Sequence, residues 1–378
     1  MSLFPTYNRF EVQVKETNGT EIIDVNGKTY LDFGSGIGVC NLGHRHPAVQ
    51  QAVEQQLNEY WHVSNLYQQP IQQEVAALIT KNSVGDYVFF SNSGAEANEA
   101  AIKLARKKTG KEKIITFKQS FHGRTFATMA ATGQEKIREG FGPMLEKFEY
   151  ATFNDIDSVK ALVDDKTAAV MLEVVQGEGG VYPAEQSFMT ELAQLCNEQG
   201  ILLIIDEIQT GFGRTGKRFG YEHYGIEPDI FTLAKGLGNG LPIGAMVAKE
   251  ELKDAFGPGT HGSTFGGNPV ALAAAKAVIE TMFTDEFFNK LDAKVNYFSE
   301  RLETLIKPLP SVKDIRQKGL MIGIECDRPA IDVVKELIDL GLLTLVAGEN
   351  VLRLLPPLTV TEAEIEHALQ KIKSVLEK

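Results

Sequence analysis

Three ionisable residues stand where buried strands end. The apolar run "ILLIIDE" closes on Asp206 and Glu207, and the next, "DIFTLAK", closes on Lys235. A lysine at an inner strand end loses hydration. Its ammonium form is then disfavoured, its pKa falls, and it can form a Schiff base with a carbonyl compound. Read alone, Lys235 is better taken as an ordinary loop lysine, and Asp206 as the cap of a turn. Upstream, "FFSNSGAEANEA" passes from strand to helix through Ser93, Gly94 and Ala95. Small residues there let backbone N–H groups approach a phosphate, although a plain capped helix start looks the same. After the following strand, "SFHGRT" supplies an aromatic plate, Phe121, and a carboxylate-binding fork, Arg124.

Each signal is weak singly, but together they make one demand. A phosphate cradle, a Schiff-base lysine, an aromatic plate and a buried carboxylate are the protein groups that pyridoxal phosphate requires. The carboxylate keeps the pyridine nitrogen protonated, which a turn cap does not explain. A competing pattern lies in the same stretch. Asp206 resembles the magnesium acid of a P-loop ATPase, and Gly211 to Lys217 nearly spells its phosphate loop. That loop needs Ser or Thr after the lysine, a strand before it and a helix after it. Arg218 follows Lys217, no separate strand precedes the loop, and "RFGYEHYGIEP" is a poor helix. The P-loop ATPase is therefore a remote alternative. Gly211 to Lys217 reads instead as a glycine-rich turn leading away from the site, and Glu207 as structural.

The elements that must position these residues follow from periodicity. "EIIDVNGKTYLDF" is two strand-like runs joined by Asn26-Gly27, a hairpin signal. From Pro47 helices alternate with short apolar strands: "YVFFS", "KIITFK", "AAVMLEVV", "ILLIIDE", "DIFTLAK" and "IGAMVAK". This predicts an α/β fold with a mainly parallel sheet covered by helices, and ligands bound at the carboxyl ends of its strands. After Gly262 two long helical stretches lead into "LMIGIEC", "LLTLVAG" and "VLRLLPP", a smaller α+β domain. The expected division is an N-terminal segment, residues 1–45, whose hairpin joins the small domain; a large cofactor-binding domain, 46–262; and the small domain, 263–378.

Composition limits partners. Across 378 residues the formal net charge is -12, which argues against sequence-independent attraction to nucleic acid or an anionic membrane. Cys40, Cys196 and Cys326 are far apart, so neither a zinc ribbon nor a disulfide framework is expected. His44 and His46 lack acid or thiol neighbours in sequence, and no metal is expected. The start shows no signal peptide, and no apolar run is long enough to cross a bilayer. The expectation is a cytoplasmic protein.

The sequence resembles class III pyridoxal-phosphate-dependent aminotransferases of fold type I, most of all the acetylornithine type. The resemblance runs from about Asn18 to the C-terminus. It rests on "LDFGSGIGVCNLGHRHP", "SNSGAEANEAAIKLAR", "FHGRT", "QGEGG", "IIDEIQTGFGRTG", "LAKGLGNGLPIGA" and "STFGGNP" in the family's order, with Asp206 and Lys235 spaced 29 residues apart. It implies the following roles. Lys235 holds the cofactor covalently and moves the proton. Asp206 pairs with the pyridinium, Gln209 bonds the phenolic oxygen, and Phe121 stacks on the ring. The Gly94 and Ala95 backbone holds the phosphate. Many relatives carry Thr where Ala95 stands, leaving this cradle one hydroxyl poorer. Thr264 reaches the phosphate of a partner subunit's cofactor, so a homodimer is implied. Arg353 takes the α-carboxylate of glutamate, Glu178 neutralises Arg353 when the amine donor is bound, and Arg124 takes the far carboxylate. Without the resemblance, Arg353 reads as a strand-edge surface charge and Glu178 as a loop acid. His122 reads as a hydrogen-bonded loop histidine with no role in proton transfer. The implied reaction moves the δ-amino group of N2-acetylornithine to 2-oxoglutarate, with succinyl-diaminopimelate and ornithine as alternative donors.

Overall fold

The computed structural model describes residues 2–378. Strands β1 (Val14–Asn18), β2 (Glu21–Asp24) and β3 (Thr29–Asp32) form an antiparallel meander. Asn26-Gly27 turns the hairpin, with Gly27 at φ 82°. A glycine adopts that angle without steric cost.

The central sheet is built from β4 (Tyr87–Ser91), β5 (Lys113–Phe117), β6 (Phe148–Ala151), β7 (Thr167–Leu172), β10 (Leu202–Asp206), β11 (Ile230–Leu233) and β12 (Gly244–Ala248). A small hairpin, β8 (Val175–Gln176) with β9 (Tyr182–Pro183), lies between β7 and β10. The sheet order is β4-β12-β11-β10-β7-β5-β6. It is mainly parallel, as periodicity predicts, except that β12 runs antiparallel to both neighbours, β11 and β4. A loop rather than a helix joins β11 to β12, so no crossover forces them parallel. β6, "FEYA", is too short and too polar to show in the sequence pattern.

Both faces of the sheet are covered, which is why its strands read as continuous apolar runs. The longer helices are α1 (Pro47–Leu57), α2 (Pro70–Lys81), α3 (Gly94–Thr109), α4 (Gln186–Gln199), α5 (Pro269–Met282), α6 (Asp285–Arg301), α7 (Ala330–Asp339) and α8 (Glu362–Leu376). Along β10, Leu203 and Ile205 point into one core, while Ile204 joins the other with Ala101, Ile102 and Ala105 of α3. Side chains alternate faces along a strand. Asp206 therefore shares the face of Ile204 and points toward α3. This places the carboxylate.

The C-terminal part carries a second sheet, β13-β14-β17-β16, from β13 (Val312–Lys318), β14 (Met321–Cys326), β16 (Leu345–Ala347) and β17 (Val351–Leu354). The short β15 (Leu342–Leu343) instead pairs in parallel with β3, bringing the N-terminal meander against C-terminal residues. α5 packs on α1 and α2.

The Gly211 to Lys217 segment enters no α-helix; only a 3-10 turn, Gly220–Tyr224, follows. It is not a loose turn, because Arg214 is fully buried within it. Arg214 Nη1 donates to the carbonyls of Leu320 (3.0 Å) and Pro356 (2.7 Å), and Nη2 donates to Asn41 Oδ1 (2.7 Å). Burial pushes this guanidinium down from 12.5 to about 9, so it stays charged at neutral pH. A buried charge is tolerated only when hydrogen-bonded, and here neutral acceptors from both ends of the chain do that. Glu207 is likewise structural: it accepts from Gly220 N (2.9 Å), Tyr221 N (2.8 Å) and Thr210 Oγ1 (2.5 Å). Replacing Arg214→Met leaves those three acceptors unpaired. The expected loss is about 3 kcal/mol of unfolding free energy by urea titration. A loss below about 1 kcal/mol contradicts the tie.

Candidate active site

Asp206 ends β10 at the carboxyl edge of the sheet and is buried. Its Oδ2 accepts from Asn98 Nδ2 (2.8 Å) and lies 2.8 Å from His122 Nδ1. Its Oδ1 accepts from the Ile208 backbone N–H at 3.0 Å, so it also caps the turn. An ionised carboxylate only accepts, so the His122 proton resides on Nδ1. Asn98 is oriented in turn: its Oδ1 accepts from Thr232 Oγ1 (2.7 Å), and its Nδ2 also donates to the His122 carbonyl (2.8 Å). Thr232 is the β11 residue directly beside Asp206.

A cavity of about 460 Å³ opens beside this network, and Gly94, Ala95, Phe121, Arg124, Glu178, Asp206, Gln209 and Lys235 all line it. Lys235 follows β11 and opens a short 3-10 turn with φ 41°, a left-handed angle that is costly for a lysine. Its pKa is lowered. Burial is the main cause, with Arg353 adding to it, while the carboxylates of Glu178, Asp206 and Glu173 oppose it.

Opposite, α3 begins at Gly94, with Ser93 Oγ accepting from the Glu96 N–H at 3.2 Å. The N–H groups of Gly94 and Ala95 are among those a helix start leaves without intrahelical acceptors. A Cβ on Gly94 would lie 2.7 Å from Ile208 Cδ1, so only glycine lets the backbone sit this close to the strand-end turn.

Arg353, on β17, does not itself line the cavity but lies behind Glu178 and Gln209, which do. It is no strand-edge surface charge: it is 2 % exposed, and β17 is hydrogen-bonded on both sides, by β14 and β16. Its Nη1 donates to Glu178 Oε1 at 2.6 Å and to the Gly177 carbonyl at 2.9 Å. Gln209 Oε1 is 3.4 Å away. Burial works to raise the Glu178 pKa, but Arg353, with Lys235 and Gln209, turns the net direction down. Arg124 is exposed at the mouth, its guanidinium 5.9 Å from the Phe121 ring centre. Thr264 is exposed and does not line this cavity.

Three contributors are not evident from motif reading. Asn98 and Thr232 hold Asp206. Glu173, one residue beyond β7, accepts from Phe121 N (2.9 Å) and Gly177 N (3.2 Å), tying the aromatic plate to the Glu178 loop. Burial pushes Glu173 up to about 7. A signal for Asn98 exists: with Ala101, Ile102 and Ala105 it occupies the buried stripe of α3, where a polar residue needs a partner.

Comparison with known proteins agrees with this geometry. The Aminotransferase class-III family matches residues 4–376. The chain belongs to the class III aminotransferases. It is 59% identical over 375 residues to the acetylornithine aminotransferase of Listeria monocytogenes serotype 4b, covering 99% of this chain and 97% of the relative. It is 57% identical over 376 residues to the acetylornithine aminotransferase of Bacillus subtilis, with the same coverage. A solved ornithine aminotransferase from Toxoplasma gondii, with PLP partly occupying its active site, superposes with a TM-score of 0.93 at 30% identity, covering 99% of this chain and 92% of that one.

Membership among class III aminotransferases implies pyridoxal phosphate, and the residues present fit it. The cavity joins a helix start, an aromatic face, an oriented buried carboxylate and a lysine of lowered pKa with no hydrogen-bond partner among the described residues. Among the described residues no cluster suited to a metal ion is found, and no helix is long and apolar enough to cross a membrane. The lowered pKa has a direct consequence. In cofactor-free protein, acetylation of the Lys235 amine, followed by mass spectrometry across pH, should show a midpoint below 10.5. Glu178→Gln should move it lower still, because that carboxylate is the largest influence holding the ammonium form. A midpoint at or above the ordinary lysine value contradicts the burial argument.

Proposed function

We propose that this class III aminotransferase moves the δ-amino group of N2-acetylornithine to 2-oxoglutarate. The products are N-acetylglutamate 5-semialdehyde and glutamate, in arginine biosynthesis in the cytoplasm. The observation that carries the reading is the 2.6 Å pair between Arg353 and Glu178 beside Lys235. The substrates enter in turn, by a ping-pong sequence, and place their charges differently. With the amine donor present, Glu178 keeps Arg353 neutralised and Arg124 takes the distant carboxylate. With 2-oxoglutarate present, Glu178 releases Arg353 to the α-carboxylate while Arg124 keeps the far one. The near-full-length identity to acetylornithine aminotransferases supports this donor.

Pyridoxal phosphate, when bound, supplies an electron sink for the carbanion formed at the substrate carbon. Asp206 would present its charge to the pyridine nitrogen, Gln209 would offer a hydrogen bond to the phenolic oxygen, and Phe121 would cover the ring. The Gly94 and Ala95 N–H groups would receive the phosphate. Lys235 would hold the cofactor and, once displaced, its Nζ would take the proton from the substrate carbon bearing the amine.

A homodimer completes the site in this reading. Thr264 is exposed and does not line its own cavity, and Trp61, Leu66, Tyr67 and Phe265 in the same two loops are exposed too. Asn65 ties the two loops through the carbonyls of Ser263 (3.0 Å) and Gly266 (2.9 Å). Exposed apolar patches of this kind mark association surfaces, and a second copy here brings Thr264 toward the partner's phosphate. The proposed division is a large cofactor-binding unit, 46–262, and a smaller one from 263–378 joined by 1–45.

Borohydride should fix the cofactor to Lys235, and Lys235→Ala should abolish turnover while still binding cofactor non-covalently. Asp206→Asn should keep the fold and lower kcat at least about 100-fold, the scale of removing a buried electrostatic contact to the reacting system. Normal activity in that variant rejects the electron-sink role. A panel of amine donors tests the substrate: kcat/KM should be highest for N2-acetylornithine. A higher value for ornithine or succinyl-diaminopimelate overturns the choice.

A further inference from the structure

A second, outer cavity of about 740 Å³ adjoins the catalytic cavity. The two share Phe121, Arg124 and Glu178, so these residues stand at the boundary. The outer walls come from different parts of the chain. One is the short helix Glu135–Arg138, which contributes Lys136 and Ile137; the other is β16 and its following turn, which contribute Val346 and Glu349.

The proposed reaction dictates what must enter this space. The reacting amine lies at Lys235 in the inner cavity, and the donor's carboxylate meets Arg124 at the boundary. The carbon bearing that carboxylate also bears the N2 substituent, which then projects outward. We propose that the outer cavity is the acyl subsite of the amine donor and that Lys136 sets the preference for acylated over free donors. This inference rests on the proposed function above.

The chemistry matches on each part of the group. An N-acyl amide offers a carbonyl acceptor and apolar carbons. Lys136 is an exposed cation with no hydrogen bond or ion pair among the described residues, free to donate to that carbonyl. Ile137 and Val346, both half-buried, face the same space and cover the acyl carbons. Gln134 is already committed to the carbonyl of Ser120 at 3.0 Å. The charged groups lining the outer cavity are Arg124, Lys136, Glu178 and Glu349. Glu178 is held by Arg353 and, in the proposed pose, Arg124 by the donor's carboxylate, which leaves Lys136 and Glu349 facing the N2 substituent. A free α-ammonium at Lys136 is repelled by it, whereas an amide carbonyl there accepts from it. A longer acyl chain ending in a carboxylate is attracted to Lys136.

The test uses holoenzyme and compares kcat/KM for N2-acetylornithine, N2-succinylornithine and ornithine in the wild type, Lys136→Met and Lys136→Arg. In Lys136→Met the acetylornithine-to-ornithine ratio should fall about tenfold, mainly through KM, as expected for losing one charged donor at a partly solvated site. The succinyl donor should lose more, and Lys136→Arg should restore both. KM for 2-oxoglutarate, which carries no acyl group, should change by less than about twofold. A donor ratio unchanged in Lys136→Met overturns the acyl subsite alone. So does an equal loss for all donors and 2-oxoglutarate, which marks a structural role. A wild-type enzyme active on ornithine but on no acylated donor overturns the proposed function itself, and the subsite with it.

Discussion

A carboxylate buried at the end of a parallel strand is the constraint on which the rest of the site depends. Removed from water, Asp206 is stable as an anion only if its oxygens are filled. His122, Asn98 and the Ile208 N–H fill them. These donors come from the loop after β5, from α3 and from the strand-end turn, so the acid fixes the mutual positions of the elements that form the cavity. The same α3 that supplies Asn98 begins with Gly94 and Ala95. Helix start and carboxylate are thus set at a fixed separation by the turns of one helix. Lys235 arrives from the adjacent strand β11, three residues beyond the Thr232 that orients Asn98.

The site also needs a group from the far end of the chain. Arg353 reaches it from β17, and its ion pair with Glu178 is the contact by which C-terminal residues enter the chemistry. Such a residue is useful only if β17 is held firmly against the central sheet. Arg214 does this from the loop after β10, bonding the carbonyls of Leu320, just before β14, and Pro356, just after β17. Its buried charge is expensive, but its planar fork holds several donors in fixed directions, which a lysine's rotating ammonium does not. Glu173 acts at the opposite wall, joining Phe121 to Gly177.

Much of this was legible in sequence because the signals are local. Apolar runs marked all the central strands except β6, and the acid and lysine at strand ends marked the crevice. What was not legible is pairwise. The antiparallel direction of β12 depends on a loop connection whose course carries no periodicity. Glu173 stood in plain view after "AAVML", yet nothing local says that its partners are the Phe121 and Gly177 amides. Asn98 was the nearest miss, since its place on the apolar stripe of α3 and the face shared by Ile204 and Asp206 together predict their contact. Arg353 and Glu178 are 175 residues apart, and only the family resemblance joined them before the fold did. His122, read as a hydrogen-bonded loop histidine, is in direct contact with Asp206, and that contact orients the carboxylate.

The central claim is that the network around Asp206 keeps a charge facing the cofactor's ring nitrogen. Reconstitution with cofactor carrying 15N in the ring permits a direct reading of that nitrogen's protonation by NMR. A pyridinium signal that persists from neutral pH into the alkaline range is the predicted result, with the signal moving to the neutral-pyridine position in Asp206→Asn. An unprotonated ring nitrogen in the wild type at neutral pH contradicts the account.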